Sequence, residues 1–480
     1  MARSVEPLPA DRRRLGGVDR VKRAALFRGL TATLVGLGLA ASLLAPSALA
    51  AKAKPKAVTP LLPRPTETAA PATPALAPAV APKPAPANPG PARQTVPVAP
   101  ATASNAGPTR QAAPTPPALP TNAAASAVKF PEAFAKLYYQ PTPKPEYPGN
   151  PRREVRGLYL TLYTASSSKS LNEVLQVVDG TAINALVIDV KDDAGNLIHH
   201  SAAAEKYNPK ANDKAPLKDL AAFVKRLRDR KIYTIARVVT FKDPVYAETH
   251  HERAIVYRQN GKLFRSRDGL AWGSPYDPEY RAYNLAVAKE AALAGFNEIQ
   301  FDYVRFPEIA KDSAINYRDR GRQTKSQSIQ SFLFEARREL SPLHVYLSAD
   351  VFGLISATRD DMRIGQYWEA ISNATDFISP MAYPSHYAPG TYGLSVPDLY
   401  PYELMSRTTR DALKRNRNLA TPAAIRPWIQ AFTAKWLRKY RHYGVPEIKA
   451  QIKALKENGL TSYLVWNPNN RYGDQAAAFK

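Results

Sequence analysis

The chain has 480 residues, 44 of them proline, a formal net charge of +25 and no cysteine. Without cysteine there is no disulfide, no thiolate chemistry and no cysteine-ligated zinc, while the positive charge favours acidic partners such as nucleic acid, a membrane surface or an anionic wall polymer without choosing among them. The length exceeds what one hydrophobic core needs, and the crowding of proline into the first third points to one large domain with appendages rather than two domains.

In chain order, Arg12, Arg13, Arg14, Arg20, Lys22, Arg23 and Arg28 form a basic leader, residues 29–45 are apolar, and Ala48-Leu49-Ala50 has the small-x-small pattern that a signal peptidase recognises. Residues 1–50 therefore read as a signal peptide cleaved after Ala50, because the apolar run is shorter than the roughly 20 residues of a comfortable membrane span. The alternative is an uncleaved helix that attaches the protein to the membrane. Either way the expected location is secreted or in the cell envelope. Residues 51–127 are Ala, Pro, Thr and Lys with almost no large apolar side chain, so they cannot bury enough surface to fold and are expected to form a disordered Pro/Ala-rich linker. Stretched at about 3.1 Å per residue, the linker reaches on the order of 200 Å.

From residue 128 large apolar residues return, and 128–480 is expected to be a single α/β domain. Alternating runs predict strands at 155–162, 185–190, 232–241, 298–304, 344–351, 376–383, 419–425 and 462–466. Amphipathic stretches predict helices at 170–178, 217–230, 279–294, 328–340, 359–372, 402–414 and 446–458. Eight strands separated by seven helices is the count of a (β/α)8 TIM barrel. An open doubly wound sheet is disfavoured, because Leu162-Tyr163-Thr164-Ala165 stands after the first strand where a glycine-rich phosphate loop would be. The insert of residues 240–279, with Tyr246, Tyr257, Phe264, Trp272 and Tyr276, follows the third strand and is expected over the barrel mouth, either gripping sugar rings or folding as a hydrophobic cap.

Chemistry in such a barrel sits at the C-terminal strand ends. The informative stretch is Asn297-Glu298-Ile299-Gln300-Phe301-Asp302-Tyr303-Val304-Arg305-Phe306-Pro307, whose parity sends Glu298, Gln300 and Asp302 to one side before Pro307 ends the regular structure. The fifth strand ends in Asp350, the second sends Asp189 and Lys191 inward together, and the third offers Arg237. Tyr383 and His386 close the sixth; Trp466 and Asn467 close the eighth. Asp302 and Asp350, on neighbouring strands, form the pair of acids that glycoside cleavage requires, one protonating the departing oxygen and the other attacking the anomeric carbon or activating water. The structural alternative for each is a buried carboxylate paired with Arg237, Lys191 or Arg305. Arg305, just beyond Asp302, is expected to hold that group ionised.

Other chemistries leave weaker traces. No H-E-x-x-H and no histidine pair at i, i+4 is present, so no metal site is expected; nor is there a G-x-S-x-G elbow or a phosphate loop. No basic run with interleaved aromatics is noted in the folded part, so nucleic acid is not an expected partner. The expected partner is a polysaccharide or cell-wall glycan, and no cofactor is required. The alternatives are a non-catalytic glycan-binding or wall-organising module and, least favoured, an amidase or deacetylase on the same polymer.

The runs Val155-Arg156-Gly157-Leu158-Tyr159-Leu160-Thr161, Ala185-Leu186-Val187-Ile188-Asp189-Val190-Lys191-Asp192 and Ile299-Gln300-Phe301-Asp302-Tyr303-Val304-Arg305-Phe306-Pro307 resemble the bacterial glycoside hydrolase domain family long known as a domain of unknown function. The resemblance spans about residues 153–472, and D-Y-V-R-F-P is its most specific element. It implies a TIM barrel related to glycoside hydrolases and usually exported. By similarity to barrel glycosidases with a fourth-strand aspartate nucleophile, it implies Asp302 as nucleophile and Asp350 as general acid/base.

Overall fold

A computed structural model describes residues 129–480 apart from positions 310, 320 and 322; the expected signal peptide, membrane anchor and linker lie outside the described residues. Eight parallel strands form the domain: β1 (Arg156–Leu160), β2 (Ala185–Lys191), β3 (Tyr233–Val239), β4 (Glu298–Asp302), β5 (Tyr346–Phe352), β6 (Phe377–Met381), β7 (Trp428–Gln430) and β8 (Tyr463–Trp466). Each pairs with its sequence neighbour, β8 returns to β1, and the pairing of Trp428 with Met381 closes the ring between β6 and β7. Between the strands run α1 (Ser168–Asp179), α2 (Leu220–Asp229), α3 (Pro278–Leu293), α4 (Lys325–Leu340), α5 (Trp368–Ala374), α6 (Pro401–Asn416) and α7 (Val445–Glu457). This is the (β/α)8 barrel expected from the element count.

Period-two alternation builds two cores from one set of strands. Leu158, Leu186, Ile188, Val238, Ile299, Phe301, Leu347 and Ile378 face outward and pack with the helices. Tyr159, Val187, Tyr233, Ile235, Tyr346, Phe377, Trp428 and Leu464 fill the interior. Slipping a strand by one residue would exchange the two sets, which is why the register is fixed. Gly157 leaves room in a crowded interior, since a Cβ there would lie 2.8 Å from the Leu464 side chain.

Local signals set the helix starts. Asp277 accepts from the Tyr280 N–H with Pro278 at the first helical position, and Thr324 and Gln327 form a reciprocal cap on α4. Several boundaries depart from the sequence reading. The seventh strand was expected at 419–425, but only Ala424–Ile425 is extended there, and barrel closure falls to Trp428–Gln430 beyond Pro427, which has no N–H to give the ladder. The helix expected at 359–372 shrinks to Trp368–Ala374, because Met362, Arg363 and Gly365 have φ of 50°, 61° and 81°. The strand expected from residue 344 starts at Tyr346, after His344 at φ 57°.

The segment 129–152 crosses the floor. Asn150 donates to the Asn297 carbonyl at 2.7 Å and accepts from the Asn297 amide at 2.9 Å, while Tyr147 stacks on His344 and joins the interior core. Above it Glu298 pairs with Arg426, and the Tyr233 hydroxyl donates to Glu298 at 3.1 Å.

Candidate active site

Inward parity carries one charged side chain up from each of four consecutive strands to the mouth: Asp189 on β2, Arg237 on β3, Asp302 on β4 and Asp350 on β5. Arg237 ties the first three together. Its Nη1 donates to Asp189 Oδ1 at 2.5 Å; its Nε and Nη2 donate to Asp302 Oδ2 at 3.0 and 2.6 Å. The other oxygen of Asp302 accepts the Tyr303 N–H at 2.5 Å. Every contact of Asp302 is thus with a donor, the pattern a carboxylate presents. Tyr303 reaches back because its φ is 47°, a left-handed backbone that costs a non-glycine residue about 1–3 kcal/mol. That turn also ends β4 at Asp302 rather than at 304.

Asp350 is different. Trp428 Nε1 donates to its Oδ1 at 2.7 Å, and its Oδ2 is buried without a hydrogen-bond partner. Burial, and next the negative charge of Asp302, hold its carboxyl well above the usual range. Both causes favour the neutral, proton-bearing form of Asp350. Asp189 accepts the Tyr159 hydroxyl at 2.6 Å, and burial pushes it up to about 7 against the opposing pull of Arg237. Tyr383 is nearly buried, its hydroxyl held well above its usual range by burial and by the charges of Asp350 and Asp302. Trp466 stacks on Tyr159 with ring centres 4.0 Å apart, and the Arg237 guanidinium lies 5.3 Å over its ring.

Four expected residues stand differently. Lys191 does not share the interior with Asp189: the register shifts between them, an extra residue that turns the side chain outward. There it pairs with Asp243 at 2.7 Å, donates to Asn284 at 2.8 Å and lies against Tyr280 and Tyr283 of α3. Arg305 does not serve Asp302, a part taken by Arg237. Its guanidinium lies 4.5–5.0 Å over the rings of Phe352, Tyr303 and Trp272, with one N–H on the Phe306 carbonyl. Asn467 is buried and shapes its own turn, donating to the Arg471 carbonyl and accepting from the Asn469 N–H. His386, pushed down to about 4 by burial, is a neutral ring among aromatics, 5.3 Å from Tyr383 and 6.1 Å from Phe432.

The insert behaves mainly as a cap. Tyr246 is buried against Tyr280 and Tyr283, and Phe264 and Trp272 are buried with it in the outer core; Tyr257 is the exposed ring. Sequence reasoning missed Tyr159 and Trp428, the donors to Asp189 and Asp350. Inward parity on β1 was enough to find Tyr159, whereas Trp428 lay past the expected end of its strand. It also missed the run Lys435-Trp436-Leu437-Arg438-Lys439-Tyr440-Arg441-His442, basic with interleaved aromatics, on the loop after β7. Contrary to expectation, the folded part does carry such a run.

Among curated proteins none matches the chain. A hypothetical protein from Ruminiclostridium thermocellum ATCC 27405 is 35% identical over 40% of this chain and 97% of its own, with a TM-score of 0.36. The glycoside hydrolase domain of PgaB (BpsB) from Bordetella bronchiseptica is 14% identical over 68% of this chain and 98% of that one; its TM-score of 0.50 is a likeness of fold. Residues 157–472, most of the barrel, match one family along its length, and the chain belongs to that family, described as "Putative glycosyl hydrolase domain".

Proposed function

We propose that the protein is an exported glycoside hydrolase that cleaves a polysaccharide or cell-wall glycan with Asp302 as nucleophile and Asp350 as general acid/base. One observation carries this reading: a carboxylate that meets only donors stands beside a buried carboxyl raised well above its usual range by burial and next by the charge of that neighbour. Two adjacent acids with their protonation driven apart are what glycoside cleavage needs. The Asp350 proton passes to the glycosidic oxygen as its bond to the anomeric carbon breaks, and an Asp302 oxygen bonds to that carbon. Water then displaces Asp302, giving its proton back to Asp350. Asp189, Arg237, Tyr383 and Trp466 shape the pocket, Arg237 by fixing the orientation of Asp302. Export rests on the basic leader, apolar run and Ala48-Leu49-Ala50.

Reducing-end release by the secreted domain across a panel of wall and storage glycans tests the reading. Asp302→Asn and Asp350→Asn, each folded, should abolish release; wild-type rates in either would remove that residue from the mechanism. The second reading, a glycan-binding module without catalysis, draws on the three donors that already occupy Asp302. Retention on a glycan with no product after long incubation, unaffected by Asp302→Asn, would favour it.

A further inference from the structure

The seventh strand ends in a loop, residues 431–443, that nothing in the acid centre requires. Its base is rigidly tied. Asp398 accepts the Arg441 N–H at 2.9 Å and the Gln430 amide at 3.1 Å, and the Tyr443 hydroxyl donates to the Asp398 carbonyl. Its tip is bare: Lys435, Trp436, Arg438, Lys439 and Tyr440 are exposed, Trp436 by 42% and Tyr440 by 44%. Large aromatic rings in water on an anchored loop represent apolar surface left open, which marks contact with a partner when it joins a larger patch.

Here the exposed ring adjoins a run of further rings that leads into the barrel. From Trp436 the rings continue inward to Phe432 at 5.9 Å and His386 at 6.3 Å, from both of these to Tyr383 at 5.9 and 5.3 Å, and from Tyr383 to Trp466 at 6.3 Å. Trp466 is the ring beneath the Arg237 guanidinium that holds Asp302. A continuous aromatic track therefore leads from the acid centre to the rim. It is buried at Tyr383 and Phe432 and open at Trp436.

The outer end of this track is also charged with one sign. Among the described residues Lys435, Arg438 and Lys439 form no ion pair, whereas Arg441 at the base is matched with Glu447 at 3.5 Å. Three uncompensated cations around an exposed tryptophan leave a positive field at that rim.

We infer that the loop tip and the aromatic track form an outer subsite that receives an anionic glycan strand, the sugar faces lying on His386 and Trp436 and the charges meeting Lys435, Arg438 and Lys439. The C–H face of a pyranose is apolar and stacks on an aromatic ring. Acid groups at the edge of the same ring then fall beside the cations. A nucleic acid also joins flat rings to repeated negative charge, but the track leads to the two acids assigned to cleaving a sugar linkage, so a glycan is the occupant inferred. The inference rests on the glycan reading of the acid centre, and its test is separable from catalysis.

The test uses the full chain carrying Asp302→Asn, so that binding is read without turnover, and retardation in gels containing polygalacturonate, its methyl ester or poly(U). Polygalacturonate should retard the protein at least tenfold more strongly than the methyl ester, with retardation falling as salt rises. The triple substitution of Ser for Lys435, Arg438 and Lys439 should abolish that preference, and Trp436→Ala should weaken binding to both pectin forms about tenfold, each variant keeping the parent melting temperature. Equal binding of the two forms, tighter binding of poly(U), no binding of either pectin, or indifference to the substitutions overturns the inference. If the wild type releases no reducing ends from any glycan, the hydrolase reading fails while the binding result stands by itself.

Discussion

Glu298 and Asp302 stand on the same face of one strand, four residues apart, and lead opposite lives. At the floor of the barrel Glu298 meets one Arg426, with the Tyr233 hydroxyl beside it and the guanidinium 4.4 Å over the Phe377 ring. One acid faces one base, and both are buried. At the mouth three acids, Asp189, Asp302 and Asp350, share one Arg237. Two of the three carboxyls are raised, Asp350 well above its usual range by burial and next by the charge of Asp302, and Asp189 to about 7 by burial against the pull of Arg237. The same residue types in the same interior thus give a structural ion pair where charges match and a poised acid where they do not. The two ends differ in how many acids stand around each arginine, three at Arg237 and one at Arg426.

Substitutions can break this contrast at either end, and the largest effect belongs to the mouth. Asp302→Asn should cost at least about a thousandfold in kcat, the upper part of the range that a positioned acid or base supplies, with the melting temperature close to the wild type; reducing-end assays beside circular dichroism would read both. At the floor the outcome inverts. Glu298→Gln strands Arg426 in the interior, and the loss of one partner of such a pair costs about 3–5 kcal/mol, read from urea denaturation, while kcat per folded molecule holds. A floor variant that lost activity but not stability would show that the two ends are not separate. Smaller again, Asp350→Asn should leave stability within about 1 kcal/mol of the wild type, because one buried polar atom without a partner is exchanged for another. A loss of more than about 2 kcal/mol there would mean that Asp350 serves the fold.

The sequence made the architecture readable because every barrel strand obeys one parity, so the eight runs and the inward positions of Asp189, Arg237, Asp302 and Asp350 could be counted off. What escaped was local geometry that breaks parity. The bulge after Asp189 turned Lys191 to the helix side, and the left-handed Tyr303 sent the following chain away, so that Arg305 stacks on rings instead of meeting Asp302. Neither Lys191 nor Tyr303 is a residue type that announces such a backbone, as glycine would. Trp428 was hidden by Pro427, which reads as a strand end but here lies between two extended pieces of the same strand. The loop tip at 435–440 was visible in composition all along; only the ring positions of Phe432, His386 and Tyr383 connect it to the acids.

The finest test at the mouth is titration of stability, since a raised carboxyl keeps its proton in the folded protein. The Asp189 carboxyl ordinarily ionises at 3.8 and is pushed up to about 7 by burial, Arg237 and Tyr159 opposing the rise and Asp192 adding to it. Between those two values the folded protein holds a proton that the unfolded chain has released. The stability it confers is therefore complete below 3.8 and declines as pH rises towards 7, at about 1.4 kcal/mol per pH unit for one proton. Asp189→Asn has no such proton, so the difference in unfolding free energy between wild type and variant should slope by that amount from pH 4 to 7 and flatten above it. Parallel wild-type and Asp189→Asn curves would mean that folded Asp189 holds no extra proton, and the raised carboxyl at the mouth would then be Asp350 alone.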